Sequence, residues 1–194
     1  MTFDHPRRTP YHWWGDAWAK ANPRTLDQLI ESGTLDLITA KALKTWVSRG
    51  ESVVICAERS GAGKSTLAHA LLESIPAERT IACIRGRHES FSWAARIEER
   101  SFSLLVNEIS DHLPVYLWGE ALNRTAALVV SGAQLIATTH PDGLRQLVIE
   151  LGQPLPRTAA PLHIVTQGDP PDADRQVAIT TASVSSADNP GLPV

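Results

Sequence analysis

Short apolar runs alternate with amphipathic segments through most of the chain. The runs have the length of buried strands, whereas the amphipathic segments repeat apolar residues every three or four positions, as a helix with one buried face does. The predicted strands are residues 52–57, 80–84, 103–109, 134–139 and 162–167. The predicted helices between them are residues 64–75, 115–131 and 141–151. This alternation predicts a three-layer α/β fold around a mostly parallel sheet.

Two further helices are predicted before the first strand. Thr25 is the expected N-cap of one that stops near Gly33, and Thr34 is the expected N-cap of another that stops near Gly50. The second of these helices is predicted to bury one apolar stripe. That stripe consists of Leu35, Ile38, Ala42, Leu43 and Trp46.

The chain divides into an arm, one domain and a tail. Residues 1–24 are rich in Pro, Arg and Trp and are expected to form an arm whose tryptophans pack on the chain's own core. Residues 25–184 contain every predicted element and end in a β-hairpin, formed by 162–167 and 175–184 around a turn-rich segment. Residues 185–194 are expected to be a disordered tail.

Composition excludes several classes of protein. A formal net charge of −3 and a sequence pI of about 6.1 give no reason to expect nucleic-acid binding. The N-terminus lacks the apolar core of a signal peptide, and no run approaches the roughly 18 apolar residues of a membrane span. Cys56 and Cys83 both lie in predicted strands and are expected to be buried, reduced thiols. These features together predict a cytoplasmic protein.

The segment AERSGAGKST, residues 57–66, carries the clearest chemical signal. It lies between a predicted strand that ends at Ala57 and a predicted helix that begins at Lys64, where backbone N–H groups face an anion. We expect Lys64 to reach the β- and γ-phosphates of ATP and the Ser65 hydroxyl to bind Mg²⁺. The residues expected to bind the nucleotide are Ser60, Gly61, Ala62, Gly63, Lys64, Ser65 and Thr66.

One position of this segment departs from the usual pattern. The phosphate loop is normally G-x-x-x-x-G-K-[ST], and Glu58 stands where its first glycine belongs. Position 58 starts the loop rather than wrapping the phosphates. The substitution is therefore expected to weaken the site and not to abolish it.

Two further candidate residues follow later strands. Glu108 lies near the end of an apolar strand and is the candidate base that activates water. Asn107 precedes it, where many phosphate-loop enzymes carry a metal-associated aspartate. His140 ends the next strand and is the candidate sensor of the γ-phosphate, because the carboxyl edge of a parallel sheet faces the ligand crevice.

The order of these segments resembles one family. LLVNEISD, an Ala-rich helix and then SGAQLIATTHPDGLRQL are similar to motifs of the motor ATPases of secretion systems and of type IV pili or flagella. The resemblance covers roughly residues 25–184 and includes the lead-in to the phosphate loop and the final hairpin. The matching residues are Glu108, Asp111, Ser131, Gly132, Ala137, Thr138 and His140.

The resemblance implies a RecA-like P-loop ATPase domain that uses ATP and Mg²⁺. It gives Lys64 and Ser65 the phosphate-loop roles, Glu108 the catalytic-glutamate role and His140 the His-box role. Motors of this family are usually hexameric and work at the inner membrane. The expected partners are therefore further copies of this chain or a membrane platform protein, with the protein cytoplasmic and peripheral to that membrane.

Departures from the family keep other functions open. Arg85 stands where the family's acidic box has an acid, only Glu89 of that box is retained, and Ser110 replaces an arginine. These changes favour an alternative, a degenerate nucleotide-binding regulatory or structural subunit without efficient hydrolysis. A small P-loop kinase is a third possibility, although no Arg-rich lid segment is present in the sequence.

Overall fold

The computed structural model describes residues 24–94, 102–151, 162–167 and 179–184. The helices are α1 (Leu26–Glu31), α2 (Leu37–Ser48), α3 (Lys64–Leu71), α4 (Glu120–Val130) and α5 (Pro141–Leu151), with short 3₁₀ turns at Leu72–Ser74 and Gly86–His88. The strands are β1 (Ser52–Cys56), β2 (Thr80–Cys83), β3 (Phe102–Ile109), β4 (Gln134–Thr139), β5 (Leu162–Gln167) and β6 (Ile179–Val184).

Within the described ranges these strands form one sheet in the order β2-β3-β4-β1-β5-β6. Every neighbouring pair is parallel except β5 and β6, which form the predicted antiparallel hairpin. β1 leads into the phosphate loop and lies between β4 and β5, while β4 separates it from β3. This is the strand arrangement of a RecA-like P-loop domain, so the predicted fold class is confirmed.

Alternating residues of the strands feed two separate apolar cores. Val53 and Ile55 of β1 pack with α1, α2 and α3 on one face of the sheet, whereas Val54 packs with α4 and α5 on the other. Because side chains alternate across a strand, an uninterrupted apolar run such as β1 fits only a sheet covered on both faces. The result is the predicted three-layer α/β architecture.

Helix α1 begins at its predicted cap, but α2 does not. Thr25 and Gln28 exchange hydrogen bonds in a capping box at α1. The predicted cap of α2, Thr34, instead helps to end α1, because its backbone N–H donates to the Leu29 carbonyl at 3.0 Å. Asp36 is the true cap, and its carboxylate accepts the first free N–H groups of α2.

The predicted apolar stripe of α2 is partly wrong. Leu43 is fully buried, but Ile38 is 82% exposed. The inward positions of the helix are Ala40, Leu43 and Val47, which are spaced by three and four residues. Ile38 precedes Val47 by about two and a half helical turns, so the two side chains lie on opposite faces of α2.

The predicted helix of residues 115–131 begins five residues later than expected. Residues 110–119 form a loop that turns back along the end of β3, and Leu117 makes a parallel bridge to Ile109. Gly119 ends this loop with φ +60°, a conformation that glycine adopts without strain. The apolar residues of this segment suggested the buried face of a helix. Leu117 is indeed buried, but its backbone forms a β-bridge and not a helical turn.

The other boundaries agree with the prediction to within a few residues. The helix of 64–75 ends as a 3₁₀ turn, and Cys56 and Cys83 are buried free thiols, as predicted. The N-terminal arm up to residue 23, the start of the hairpin's second strand at 175–178 and the tail 185–194 lie outside the described residues. In the ranges that are described, no helix is long and apolar enough to cross a bilayer.

The corrected face of α2 gives a direct prediction. Leu43→Ala should lower the free energy of unfolding by about 2–5 kcal/mol, because it leaves a cavity between α2 and the sheet. Ile38→Ala in the same helix should change it by no more than about 0.5 kcal/mol. Urea unfolding of both variants measures the difference. Similar losses in the two would show that Ile38 is a core residue.

Candidate functional site

The predicted phosphate loop has a backbone geometry that suits an anion. Gly61 and Gly63 adopt φ +80° and +94°, and Gly63 is the N-cap of α3. Glycine is the residue that adopts this region at little cost. Because glycine at the cap has no side chain, no side-chain oxygen occupies the first N–H groups of α3. Those groups and the positive end of the helix dipole therefore face the loop.

Glu58 is compatible with this loop. Its side chain is exposed, and it is not among the residues with positive φ in the described part of the chain. The backbone at this position therefore does not require glycine. Its carbonyl oxygen, which any residue would supply, accepts a hydrogen bond from His140 Nδ1 at 3.1 Å.

Lys64 begins α3 and turns its amine into the protein. The residue is only 6% exposed. Its Nζ lies 3.4 Å from His140 Nε2 and 3.9 Å from Glu108 Oε2. A buried ammonium is stable only with a compensating charge or hydrogen bonds. Three residues predicted separately from the sequence thus meet in one cluster.

His140 connects the end of β4 to the start of the phosphate loop. Its Nδ1 lies 2.8 Å from the Ala57 carbonyl oxygen and 3.1 Å from that of Glu58. Carbonyl oxygens only accept hydrogen bonds, so Nδ1 carries the proton. The Lys64 ammonium can only donate, so in the contact between these two groups Nε2 is the acceptor.

Helix α5 holds this part of the chain close to β3. Its first turn contains Gly143, where an added Cβ would overlap the Ile109 carbonyl oxygen. The same Cβ would lie within 2.5 Å of Thr139 Oγ1. Glycine is thus required for the helix to start directly behind the ends of both strands, where His140 leaves the sheet.

A β-bulge presents Glu108 to the cluster. Val106 pairs with Ala137 and Ile109 pairs with Thr139. The two residues Asn107 and Glu108 therefore lie opposite a single residue of β4, Thr138. A bulge re-aims the side chains of the longer strand. Glu108 is buried and leans towards Lys64 and His140, with Oε1 3.8 Å from His140 Nε2.

Burial sets the protonation behaviour of Glu108. It raises the pKa of the carboxyl group, because the charged form loses water. The Lys64 ammonium opposes this rise in pKa most strongly, followed by the hydrogen bond that Thr138 Oγ1 donates to Oε2 at 2.8 Å. Among the described residues, Oε1 accepts no hydrogen bond. A base of raised pKa with one free oxygen is suited to take a proton from a ligand.

The loop of residues 110–119 brings two residues to the site that the sequence analysis did not single out. The ring of His112 lies 6.0 Å from that of His140. Tyr116 has a pKa raised by burial and by the negative charge of Glu108. The helix predicted over 115–131 contains Tyr116 but not His112, and it would have directed the Tyr116 side chain differently. Pro114 and Gly119 are the local signals that this segment turns.

Glu89, the retained acid of the expected acidic box, forms a structural clasp. Its carboxylate accepts the backbone N–H groups of Arg85, Ser90 and Phe91 and the indole N–H of Trp93. Arg85 Nε adds an ion pair at 3.6 Å. The buried carboxylate thus orders the loop after β2 and does not point to the phosphate loop.

The Mg²⁺ ligand predicted from the sequence is compatible with the site. Ser65 is half-buried in the first turn of α3, next to Lys64. No group of three or more His, Cys, Asp or Glu residues within the described ranges could hold a metal by itself. Mg²⁺ in nucleotide sites is bound by few protein ligands together with substrate phosphates and water. One serine hydroxyl beside a phosphate loop meets that requirement.

The remaining predicted nucleotide contacts lie at the mouth of the loop. Ser60, Gly61 and Thr66 are exposed, whereas Ala62 and Gly63 are half-buried. The candidate site therefore combines an open rim of backbone and small side chains with a floor of buried Lys64 and Glu108 and half-buried His140.

Comparison of the sequence with known protein families and with curated proteins gives no match. The fold is similar to the crystal structure of the VirB11 ATPase from the Brucella suis type IV secretion system in complex with sulphate. The two are 18% identical, with a TM-score of 0.47 over 84% of this chain and 55% of the other. The chain thus spans little more than half of that ATPase, and a similarity at this level assigns no function.

The clasp around Glu89 gives a prediction about stability. Glu89→Gln should lower the free energy of unfolding by about 1–3 kcal/mol, because an amide nitrogen cannot accept the N–H groups that now bind the carboxylate. Chemical denaturation measures this, with exposed Glu31→Gln as the control. Unchanged stability in Glu89→Gln would mean that the carboxylate does not organise the loop.

Proposed function

We propose that this chain binds ATP with Mg²⁺ at the phosphate loop and hydrolyses the γ-phosphate. One observation carries the proposal: Lys64, Glu108 and His140 come from three different elements and meet within 4 Å of one another beside the loop. A chance glycine-rich turn before a helix would need no buried lysine and no buried carboxylate. Such groups are costly to bury and are typical of functional sites.

The phosphate end of the site is assigned to the loop and Lys64. The N–H groups at the start of α3 suit the negative charge of a polyphosphate, and Lys64 supplies a full positive charge beside them. Without nucleotide, that charge is compensated by Glu108 and by the lone pair of His140. A bound phosphate would offer Lys64 a stronger partner and release it from this internal cluster.

Glu108 is the proposed base. Its ionised Oε1 takes a proton from water as the water oxygen bonds to the γ-phosphorus. The bond from that phosphorus to the β,γ-bridging oxygen breaks, and its electron pair leaves with ADP. Mg²⁺, bound through Ser65 and the phosphates, would neutralise the charge that develops there. The proton on Glu108 then returns to solvent.

A second candidate function is nucleotide binding without efficient turnover. It is favoured by Asn107, a neutral residue that is half-buried beside Glu108 where an acid is expected. It is also favoured by Glu89, whose carboxylate is committed to the loop after β2. In this alternative the same cluster would sense bound nucleotide and act through partners.

We further propose that the chain acts as a motor, which is a more specific function than ATP hydrolysis alone. It rests on the sequence resemblance of residues 25–184 to secretion and pilus ATPases. On that basis we propose that hydrolysis drives assembly or transport, with the chain working as a homo-oligomer, hexameric in most such motors, or on a membrane platform protein.

The binding step predicts a specific role for Lys64. Lys64→Ala should weaken ATP·Mg²⁺ binding about 10- to 100-fold, because a charge-assisted contact to phosphate is lost. Isothermal titration calorimetry measures the dissociation constant, and Lys41→Ala on the exposed face of α2 should leave it unchanged. Absence of measurable binding to the wild-type protein would overturn both candidate functions.

The hydrolytic step predicts a specific role for Glu108. Glu108→Gln should lower kcat by about 10²- to 10⁴-fold with little change in nucleotide affinity, since the amide cannot take the proton. Burial raises the pKa of Glu108, so wild-type turnover should fall with decreasing pH from a point above the usual range of a glutamate.

Phosphate release over a range of pH measures both effects, and exposed Glu31→Gln serves as the control. If the protein binds ATP but Glu108→Gln hydrolyses it as fast as wild type does, the assignment of Glu108 as the base is wrong. If the wild-type protein binds ATP and shows no turnover at all, nucleotide binding without hydrolysis is the function that remains.

A further inference from the structure

Thr138 lies opposite the bulge that presents Glu108. It is the residue of β4 between Ala137 and Thr139, whose partners on β3 are Val106 and Ile109. It therefore faces both residues of the bulge from the neighbouring strand. Its side chain is fully buried. Its strand, β4, lies between β3, which carries the base, and β1, which leads into the phosphate loop.

The hydroxyl of Thr138 contacts the bulge at two acceptors. Its Oγ1 lies 2.8 Å from Glu108 Oε2 and also makes a close contact with the backbone carbonyl oxygen of Asn107. A hydroxyl has one proton and two lone pairs, so it donates to one of these acceptors at a time. The hydroxyl thus contacts both the backbone carbonyl and the carboxylate where β3 leaves regular pairing, and the charged carboxylate is the stronger acceptor of its proton.

This contact leaves the two oxygens of Glu108 in different states. Oε2 is held by Thr138, whereas Oε1 is buried and accepts no hydrogen bond from any residue in the described ranges. A buried acceptor without a donor is costly, and native proteins rarely retain one without a role. Lys64 Nζ approaches Oε2 at 3.9 Å, whereas Oε1 lies 3.8 Å from His140 Nε2. The oxygen without a hydrogen bond therefore lies on the His140 side of the cluster.

We propose that Thr138 is the positioning residue of the proposed hydrolysis. By holding Oε2, its hydroxyl fixes the rotation of the Glu108 carboxylate so that Oε1 faces the attacking water. This inference rests on the proposed function, in which Glu108 is the base. Thr138 is fully buried, and in this proposal it acts through the carboxylate rather than on the nucleotide or the water. Regular strand pairing is interrupted at Glu108 by the bulge. The hydrogen bond from Thr138 is what orients the carboxylate instead.

The test compares two substitutions of Thr138. Thr138→Val keeps the shape and removes the hydroxyl, and it should lower kcat about 10- to 100-fold while the dissociation constant of ATP·Mg²⁺ stays within about threefold. Thr138→Ser restores the hydroxyl and should recover most of kcat. A purely structural role would not produce loss of kcat with unchanged affinity together with rescue by serine.

A matched control is available in α4. Thr125 is also fully buried. Its hydroxyl donates to the Ala121 carbonyl oxygen of its own helix at 2.8 Å and not to a residue of the cluster. Thr125→Val removes a buried hydroxyl of the same kind and should leave kcat unchanged. Equal losses of kcat in the two valine variants would assign the effect to general destabilisation and overturn the proposal.

A second measurement does not depend on activity. Crystal structures of the nucleotide-free protein should show the Glu108 carboxylate in one orientation in wild type and Thr138→Ser, and rotated in Thr138→Val. An unrotated carboxylate, or full kcat in Thr138→Val, overturns the positioning role even if Glu108→Gln confirms the base. If the wild-type protein binds ATP but does not hydrolyse it, the proposed function fails separately, and the carboxylate orientation still decides whether Thr138 holds Glu108.

Discussion

A buried positive charge organises this protein. The Lys64 ammonium is enclosed at the carboxyl edge of the sheet, where it has lost nearly all contact with solvent. Such a charge is tolerated only if other groups compensate it. The carboxylate of Glu108 and the ring nitrogen of His140 do so, and each must be delivered to the same few ångströms from a different strand.

The order of the strands makes that delivery possible. Because β4 lies between β1 and β3, its last residues lie between the phosphate loop and the end of the bulged strand. His140 bonds to the loop on one side, and Thr138 bonds to Glu108 on the other. Strand β4 is thus the connection between the proposed binding and hydrolytic halves of the site. Gly143 lets α5 begin directly behind that connection.

Two buried acidic residues, both singled out from the sequence, have opposite environments. Glu89 is saturated with N–H donors and holds a loop, whereas Glu108 keeps one oxygen without a hydrogen bond among the described residues. Only the second has the free acceptor that general base catalysis needs. The difference explains why an acid that resembles part of a sequence motif need not act in the chemistry. What decides its role is the number of donors that surround it.

The sequence by itself determined the fold class and located the candidate phosphate loop between a strand and a helix. Those features depend on local patterns: apolar runs of strand length, glycines before a lysine, and residues that follow strands at one edge of a parallel sheet. The sequence also identified Glu108 and His140 as residues that follow neighbouring strands, and the structure brings both of them to Lys64.

Only the tertiary structure decided the bulge at Asn107 and Glu108, the contact of Thr138, and the loop that carries His112 and Tyr116. The buried face of α2 and its Asp36 cap were likewise settled by packing and by competition with the end of α1. These features depend on which residue lies opposite which across a sheet. That pairing is a property of long-range contacts, and periodicity along one chain does not contain it.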